Sequence, residues 1–204
     1  RMNVREQRPS PMWLCRWALP CLIMLVVSSQ PVHAWNSAGH RIIAWVAYQQ
    51  LDPATRSKVA TVLRAHPAFL NNDWPSRGGV NGPDADLNLF LNASVFPDDA
   101  RDPMGKYNQF HEATSHYVNF PVVEPRIARF DPTLKVVDPR SGSSVLTAYP
   151  RKLDLLEKPG TPLEEQALAL SWIFHLAGDV HQPMHATARF SKAFPQGDRG
   201  GNLV

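Results

Sequence analysis

Residues 161–185 read TPLEEQALALSWIFHLAGDVHQPMH, and this stretch predicts the centre of the fold. Thr161 precedes a proline and Glu164, a pattern typical of a helix N-cap with a capping box. From residue 162 to 179 apolar side chains occupy nearly every face, which is typical of a buried helix. We therefore expect a buried central helix at about 162–179, with ligand-type residues at its C-terminal end.

Three histidines and one aspartate lie within eleven residues at that end: His175, Asp179, His181 and His185. His175 and Asp179 are four residues apart, so an imidazole and a carboxylate share one helical face and can hold the same ion. Pro183 ends the helix and lets His185 fold back towards that face. A lone histidine is more often a hydrogen-bonded core residue, but this density favours metal. Without cysteine, the set suits zinc, with manganese or iron as alternatives.

The rest of the chain predicts further helices and long loops. Apolar residues recur at helical spacing near 37–51 and 53–65, and another helix is expected near 143–158. Residues 66–110 are rich in Pro, Gly, Asn and Asp, so we expect long loops there with at most a short helix. A short extended segment is expected at 116–120. The fold class is therefore mainly α: a single helical domain with long loops.

The N-terminal segment 1–34 has the three parts of a secretory signal peptide: a basic segment, an apolar run at 18–27, and small residues before a break. That run is about half of the roughly 20 residues that span a bilayer, which favours cleavage before Trp35 over an uncleaved membrane anchor. Both cysteines, Cys15 and Cys21, lie in this leader. We expect a secreted or periplasmic protein that has no membrane association after cleavage.

The charge of the chain gives no argument for binding a polyanion. The net charge is +3, but residues 1–34 alone carry that excess. The remaining residues carry 17 basic and 17 acidic side chains and are formally neutral. Any nucleic-acid function must therefore be argued from a site.

The motif HLAGDVHQPMH at 175–185, followed by GDRGGN at 197–202, resembles the zinc-dependent S1/P1 nuclease family. In that family the mature protein begins with a tryptophan whose α-amino group and carbonyl oxygen bind zinc, and a histidine five residues later joins it. Trp35 and His40 have this spacing. The predicted cleavage would free the Trp35 amine, so two independent arguments agree on one peptide bond.

The resemblance implies three zinc ions. It implies two ligand sets in this chain: Asp98, His116, His175 and Asp179 for one ion, and the Trp35 terminus, His40 and Asp179 for another. Asp179 would bridge these two ions. His185 would bind a third ion, whose other ligands are expected in a His-x-x-x-Asp motif beyond Val204. We therefore expect 35–204 to be a nuclease domain truncated at its C-terminus, with two complete zinc sites and reduced or no activity as it stands.

The resemblance also implies residues that contact substrate. Asp98 would orient the nucleophile as well as bind metal, and Arg101 would contact phosphate, with a surface ion pair as the alternative. Tyr117 would stack on a nucleobase, with a buried core role as the alternative. Asn119 and Asn202 would reach a base edge or shape turns. His181 would hydrogen-bond within the metal site. The following residues are assigned to packing or to the surface: His66, His111, Trp45, Trp74 and Trp172.

The implied function is a secreted zinc-dependent endonuclease and 3′-nucleotidase, which hydrolyses single-stranded RNA and DNA to 5′-phosphorylated products by metal-activated water. No stable protein partner is implied. Zinc-dependent phospholipase C is similar in its terminal tryptophan, its ligand order and its Gln-Pro-Met-His run, and is the first alternative. His181 and the segment 197–202 favour the nuclease. A secreted zinc-binding protein without catalysis is the second alternative.

Overall fold

The computed structural model describes residues 35–76, 82–123, 133, 135–201 and 203. The predicted signal peptide and Asn202 lie outside the described residues. The helices are α1 Ser37–Gln50, α2 Pro53–Leu63, α3 Pro67–Leu70, α4 Asp73–Ser76, α5 Ala85–Asp99, α6 Val145–Glu157, α7 Leu163–Asp179 and α8 Pro183–Ala186. Two 3₁₀ turns, Asn108–Phe110 and Ala113–His116, precede strand β1 Phe120–Val123, and strand β2 Thr187–Phe190 follows α8. The predicted mainly α class is confirmed.

Helix α7 is the central helix, as predicted. It packs against α1, α2, α5 and α6. The side chains of Trp172 and Leu176 lie in one core cluster with α6, and Leu168 packs against a second cluster formed mainly by α2 and α5. The last turn of α7 is buried as well, because His175 and Asp179 are 0% and 1% exposed. The ligand-type residues therefore lie inside the protein.

The predicted capping box of α7 is wrong. The helix begins at Leu163 with Pro162 as its N-cap, and no side chain caps it. The Thr161 hydroxyl instead donates a hydrogen bond back to the Lys158 carbonyl. Because the helix starts one residue later than expected, Glu164 lies one position too early to reach back to the cap.

The prediction of long loops over 66–110 is also wrong, because α5 spans fifteen of these residues. The Asn and Asp residues in its sequence have low helix propensity, so the sequence did not indicate a helix there. Its apolar side chains Leu89, Ala93 and Phe96 are buried in the core. The buried Asn92 amide accepts a hydrogen bond from Arg41, so tertiary contacts satisfy the polar group that argued against a helix.

The remaining predictions hold in part. Tyr117 is extended, but His116 belongs to the preceding 3₁₀ turn, and β1 continues through Pro121. Strand β1 pairs in parallel with β2, with Phe120 opposite Thr187. Helix α7 ends at Asp179, and Pro183 begins α8. None of the described helices has both the length and the apolarity to cross a membrane.

Candidate metal centre

Five ligand-type side chains converge beside the C-terminal end of α7. They are His40 from α1, Asp98 from the last turn of α5, His116 from the 3₁₀ turn, and His175 and Asp179 from α7. We call these five residues the ligand cluster. Two groups within it each bring three ligand atoms within 4.8 Å of one another: His40, Asp98 and His175, and His116, His175 and Asp179.

In the first group, His40 and His175 stack with ring centroids 3.8 Å apart. Asp98 Oδ2 lies 3.8 Å from His40 Nε2, and Asp98 Oδ1 lies 3.5 Å from His175 Nε2. In the second group, His116 Nδ1 lies 3.0 Å from His175 Nε2 and 3.1 Å from Asp179 Oδ2. The structure thus brings His40 near Asp98, although the sequence argument gave these two residues to different ions.

The two carboxylate oxygens of Asp179 face different imidazoles. Oδ2 lies 3.1 Å from His116 and 3.2 Å from His175. Oδ1 lies 3.4 Å from His40 Nε2 and 4.0 Å from His185 Nε2, and it has no hydrogen-bond partner in the part of the chain that the structure describes. A carboxylate that offers one oxygen to each of two donor groups has the geometry of a bridging ligand.

Backbone carbonyls orient two of the imidazoles. His175 Nδ1 lies 2.9 Å from the Ser94 carbonyl oxygen, and His185 Nδ1 lies 3.0 Å from the His116 carbonyl oxygen. A carbonyl only accepts, so in each ring Nδ1 carries the hydrogen and donates it. The unprotonated Nε2 of each ring therefore faces Asp179, which is the arrangement that metal-binding histidines use.

A glycine makes room for His40. A Cβ added at Gly178 would lie 2.8 Å from His40 Nδ1, so α1 and α7 approach this closely only without a side chain there. Trp35 directly precedes the N-cap of α1, and its ring occupies the space that a Gly39 side chain would need. The structure thus places Trp35 against the first turn of the helix that carries His40.

The buried environment keeps the imidazoles of His40 and His116 neutral. Burial, followed by the nearby His175, lowers the pKa of His40 from 6.5 to about 4. Burial also lowers the pKa of His116 to about 4. Burial alone would raise the pKa of Asp179, but the adjacent His116 and His175 imidazoles outweigh it and hold that pKa below its ordinary value. Neutral imidazoles and an ionised carboxylate are the forms that bind metal.

The cluster fits a metal ion. Tetrahedral zinc with bonds of about 2.0–2.1 Å places neighbouring ligand atoms roughly 3.3 Å apart. The separations around Asp179 Oδ2 and His175 Nε2 are 3.0–3.2 Å. Among the described residues, His116 Nε2 and Asp179 Oδ1 are buried without hydrogen-bond partners, which is costly unless something else satisfies them.

A cleft of about 710 Å³ opens beside the ligand cluster. It is lined by Arg101, His111, Ala113, His116, Tyr117, Asn119, Met184, His185, Gln196 and Arg199. Among these described residues are two arginines and no carboxylate, which suits an anion. Arg101 also lies 2.9 Å from Asp98. It therefore forms the ion pair that was its alternative role and also lines the cleft. Tyr117 is half-buried and lines the cleft.

The sequence argument did not name as site residues five of the ten described cleft residues, which are His111, Ala113, Met184, Gln196 and Arg199. His111 was assigned to packing or the surface but lines the cleft, as does Arg199. Arg199 lies within the GDRGGN segment, which was the available signal, whereas nothing marked His111. His181 is exposed and follows the end of α7, and its Nδ1 bonds to the Ala177 carbonyl of that helix, so its predicted hydrogen bond in the metal site is wrong.

The other residues assigned to packing or to the surface lie in the core or are partly exposed. His66, Trp74 and Trp172 are buried, and Trp45 is half exposed at 49%. His66 stacks on Trp74 with ring centroids 4.3 Å apart.

The comparisons with known proteins agree with this geometry. No curated protein and no solved structure is similar enough to the chain to count as a match. A family model described as S1/P1 Nuclease matches residues 35–204. Because this match covers most of the chain, the protein belongs to the S1/P1 nuclease family.

Proposed function

We propose that this nuclease is a zinc-dependent endonuclease and 3′-nucleotidase that hydrolyses single-stranded RNA and DNA to 5′-phosphorylated products. The observation that carries the proposal is the Asp179 carboxylate, whose Oδ1 faces His40 and whose Oδ2 faces His116 and His175, beside a cleft that contains two arginines. Several metal ions held beside one phosphate are a recurring arrangement in phosphodiester hydrolysis.

The proposal assigns zinc to the ligand cluster and to two neighbours. Asp98, His116, His175 and Asp179 would hold one ion, and His40 with Asp179 and the freed Trp35 amine another. His185 would contribute to a third. Bound zinc would supply Lewis acidity to the phosphodiester and lower the pKa of an attacking water to near neutrality.

The protein's own residues would bind and orient the phosphodiester. The Asp98 carboxylate lies near His40 and His175 of the cluster and near Arg101 of the cleft, so it can position a nucleophile between cluster and cleft. Arg101 would pair with the phosphate and offset charge that builds on its oxygens and on the departing 3′-oxygen. Tyr117 would give a base an aromatic face, which only an unpaired base can reach.

The same proposal covers processing and location. Residues 1–34 would be a signal peptide, cleavage would make Trp35 the N-terminus of a domain that begins there, and the protein would be secreted or periplasmic. Support comes from the position of Trp35 against the helix that carries His40. Metal-loaded secreted protein that begins at Ala34 or earlier would contradict this part.

The test compares substrates with zinc-replete, full-length protein. We expect single-stranded oligonucleotides to be cleaved to 5′-phosphorylated products, identified by mass spectrometry, much faster than duplex DNA or phosphatidylcholine. Tyr117→Ala should weaken substrate binding by roughly 1–3 kcal/mol if its ring stacks on a base. Arg101→Ala should lower kcat, and Arg101→Lys should restore only part of it, because an ammonium cannot form a bidentate fork.

Zinc content by elemental analysis is the control, since neither Arg101 nor Tyr117 is assigned to metal. Faster hydrolysis of phosphatidylcholine would reassign the protein to the phospholipases. If the zinc-replete protein hydrolyses neither substrate, the protein binds zinc but is not an enzyme for these substrates. Unchanged kinetics in both variants would remove these two side chains from the site.

A further inference from the structure

A second pocket, of about 210 Å³, borders the cleft. We call it the flanking pocket. It shares Tyr117, Asn119 and Gln196 with the cleft, and Lys135, Ser143 and Phe190 are among its other lining residues. Since three side chains belong to both, a molecule in the cleft can extend into the flanking pocket without leaving the surface.

Backbone hydrogen bonds hold the walls of the flanking pocket. The Tyr117 carbonyl accepts a hydrogen bond from Val145 N–H at 3.1 Å, which ties it to the start of α6. Lys135 N–H donates to the Pro195 carbonyl at 2.8 Å, which joins the walls that carry Lys135 and Gln196. Phe190 is 5% exposed and anchors one wall in the interior. The pocket is therefore formed without a ligand.

The flanking pocket has the chemistry to hold a nucleotide unit. Lys135 provides an ammonium, and no ion pair joins it to a carboxylate in the part of the chain that the structure describes. Asn119 and Gln196 provide amides, and Tyr117 provides an aromatic ring. Asp138 also lines the pocket, but its carboxylate accepts a hydrogen bond from Arg140 N–H at 2.9 Å and lies 3.8 Å from the Arg140 guanidinium. That guanidinium offsets part of the negative charge.

The size of the pocket argues against an independent ligand. Sites for small molecules occupy roughly 300–1,000 Å³, and 210 Å³ lies below that range. One unit of a longer chain fits better, because its neighbour would fill the adjoining cleft. A basic, aromatic and amide-lined surface that continues from a phosphodiester site is typical of a groove that follows a single strand.

We propose that the flanking pocket binds the nucleotide next to the one held in the cleft, with Lys135 on its phosphate. This inference rests on the proposed nuclease function and adds a consequence to it: the pocket makes the enzyme prefer oligonucleotides over 3′-mononucleotides. A mononucleotide binds only in the cleft, whereas a longer strand contacts both the cleft and the flanking pocket.

The experiment measures kcat/KM for a 3′-mononucleotide, a dinucleotide and a single-stranded tetranucleotide. Lys135→Gln should lower kcat/KM for the tetranucleotide by about fivefold or more and reduce its salt dependence by about one phosphate contact. Hydrolysis of the 3′-mononucleotide should be unchanged. Lys135→Glu should give a larger loss in the same direction. The matched control is Lys192→Gln, an exposed lysine nearby in sequence that is not among the pocket residues.

The possible outcomes separate the two proposals. If wild-type protein hydrolyses all three substrates and Lys135→Gln leaves every kcat/KM unchanged, the flanking pocket is not a subsite and the nuclease proposal stands. An equal loss on all three substrates would also overturn the inference, because the lysine would then act on the whole reaction. If zinc-replete wild-type protein hydrolyses none of them, the proposed function itself is wrong.

Discussion

Asp179 lies where the end of α7 meets three other elements, and its two oxygens face four imidazoles, those of His40, His116, His175 and His185. Its side chain is 1% exposed, and each of its oxygens faces different nitrogens. A buried carboxylate is stable only with such partners. The predicted bridging role therefore has a geometric basis in the way that the two oxygens are divided.

Asp179→Asn should remove two ions together, whereas His40→Ala should remove mainly one. An amide nitrogen in place of one oxygen cannot bind metal, and the loss of charge weakens both groups. Elemental analysis of folded, zinc-dialysed protein measures this, with the exposed Asp154→Asn as the control for charge removal. Equal zinc loss in the Asp179 and His40 variants would contradict a bridging carboxylate.

Single residues show where sequence reasoning works. His175 and Asp179 were predicted to act together because helical spacing fixes their neighbourhood. His40, Asp98 and His116 came only from the resemblance, and the structure brings all five together. His111 could not be predicted, because its place on the cleft depends on how the 3₁₀ turns pack and not on local spacing.

At the scale of elements, Glu112 fastens the 3₁₀ turn that carries His116 to helix α6. Its two oxygens lie 2.6 Å from Lys152 Nζ and 2.6 Å from Arg151 Nη2, and the Ser115 hydroxyl donates to it at 2.8 Å. Lys152 is only 8% exposed, and its ammonium lies 5.2 Å from the Trp172 ring centre. Trp172 in turn lies 5.0 Å from the His116 ring. These contacts of Glu112, Lys152 and Trp172 therefore hold His116 in position.

Glu112→Gln should lower the free energy of unfolding by roughly 3 kcal/mol, because it leaves the Lys152 ammonium buried without its counter-charge. The double variant Glu112→Gln/Lys152→Met should recover part of this loss, since it removes the unpaired charge as well. Urea unfolding of the two single variants and the double variant measures the coupling. Additive losses would mean that the two groups do not form a functional pair.

The main error in the predicted fold was the missing helix α5. Helix α5 was missed because its Asn and Asp residues are weak helix formers, and local propensity says nothing of the partner that buries Leu89 and Phe96. Helix α7 was predicted because its apolar pattern is strong enough to stand without tertiary information. The end of α7 at Asp179 agrees with the limit near residue 179 that the same pattern predicted.

At the scale of the whole molecule, three buried histidines make the metal-free fold sensitive to acid. The pKa values of His40 and His116 are lowered to about 4, and burial lowers that of His66 to about 3. Unfolded histidines titrate near 6.5, so between pH 6.5 and 4 the unfolded chain binds more protons than the folded one. The stability from neutral burial is complete above pH 6.5 and is lost as pH falls.

Metal-free protein should therefore lose up to about 2 kcal/mol of unfolding free energy per buried histidine between pH 7 and pH 5. His66→Asn should lose less over this interval, while its side chain can still cap α3. The exposed His181→Asn should show the wild-type slope. Urea unfolding at both pH values, after dialysis against a chelator, measures these slopes. Identical slopes in wild type and His66→Asn would show that His66 is not buried neutral.

The ligand cluster joins residues from position 40 to position 179, and that span has a consequence for the order of folding. No short segment of the chain contains the centre, so it cannot form until α1, α5 and α7 have docked. Contacts this distant in sequence form late. A nascent or partly folded chain thus has no selective site for an ion, and which metal enters is decided by the finished fold and by the surroundings in which folding ends.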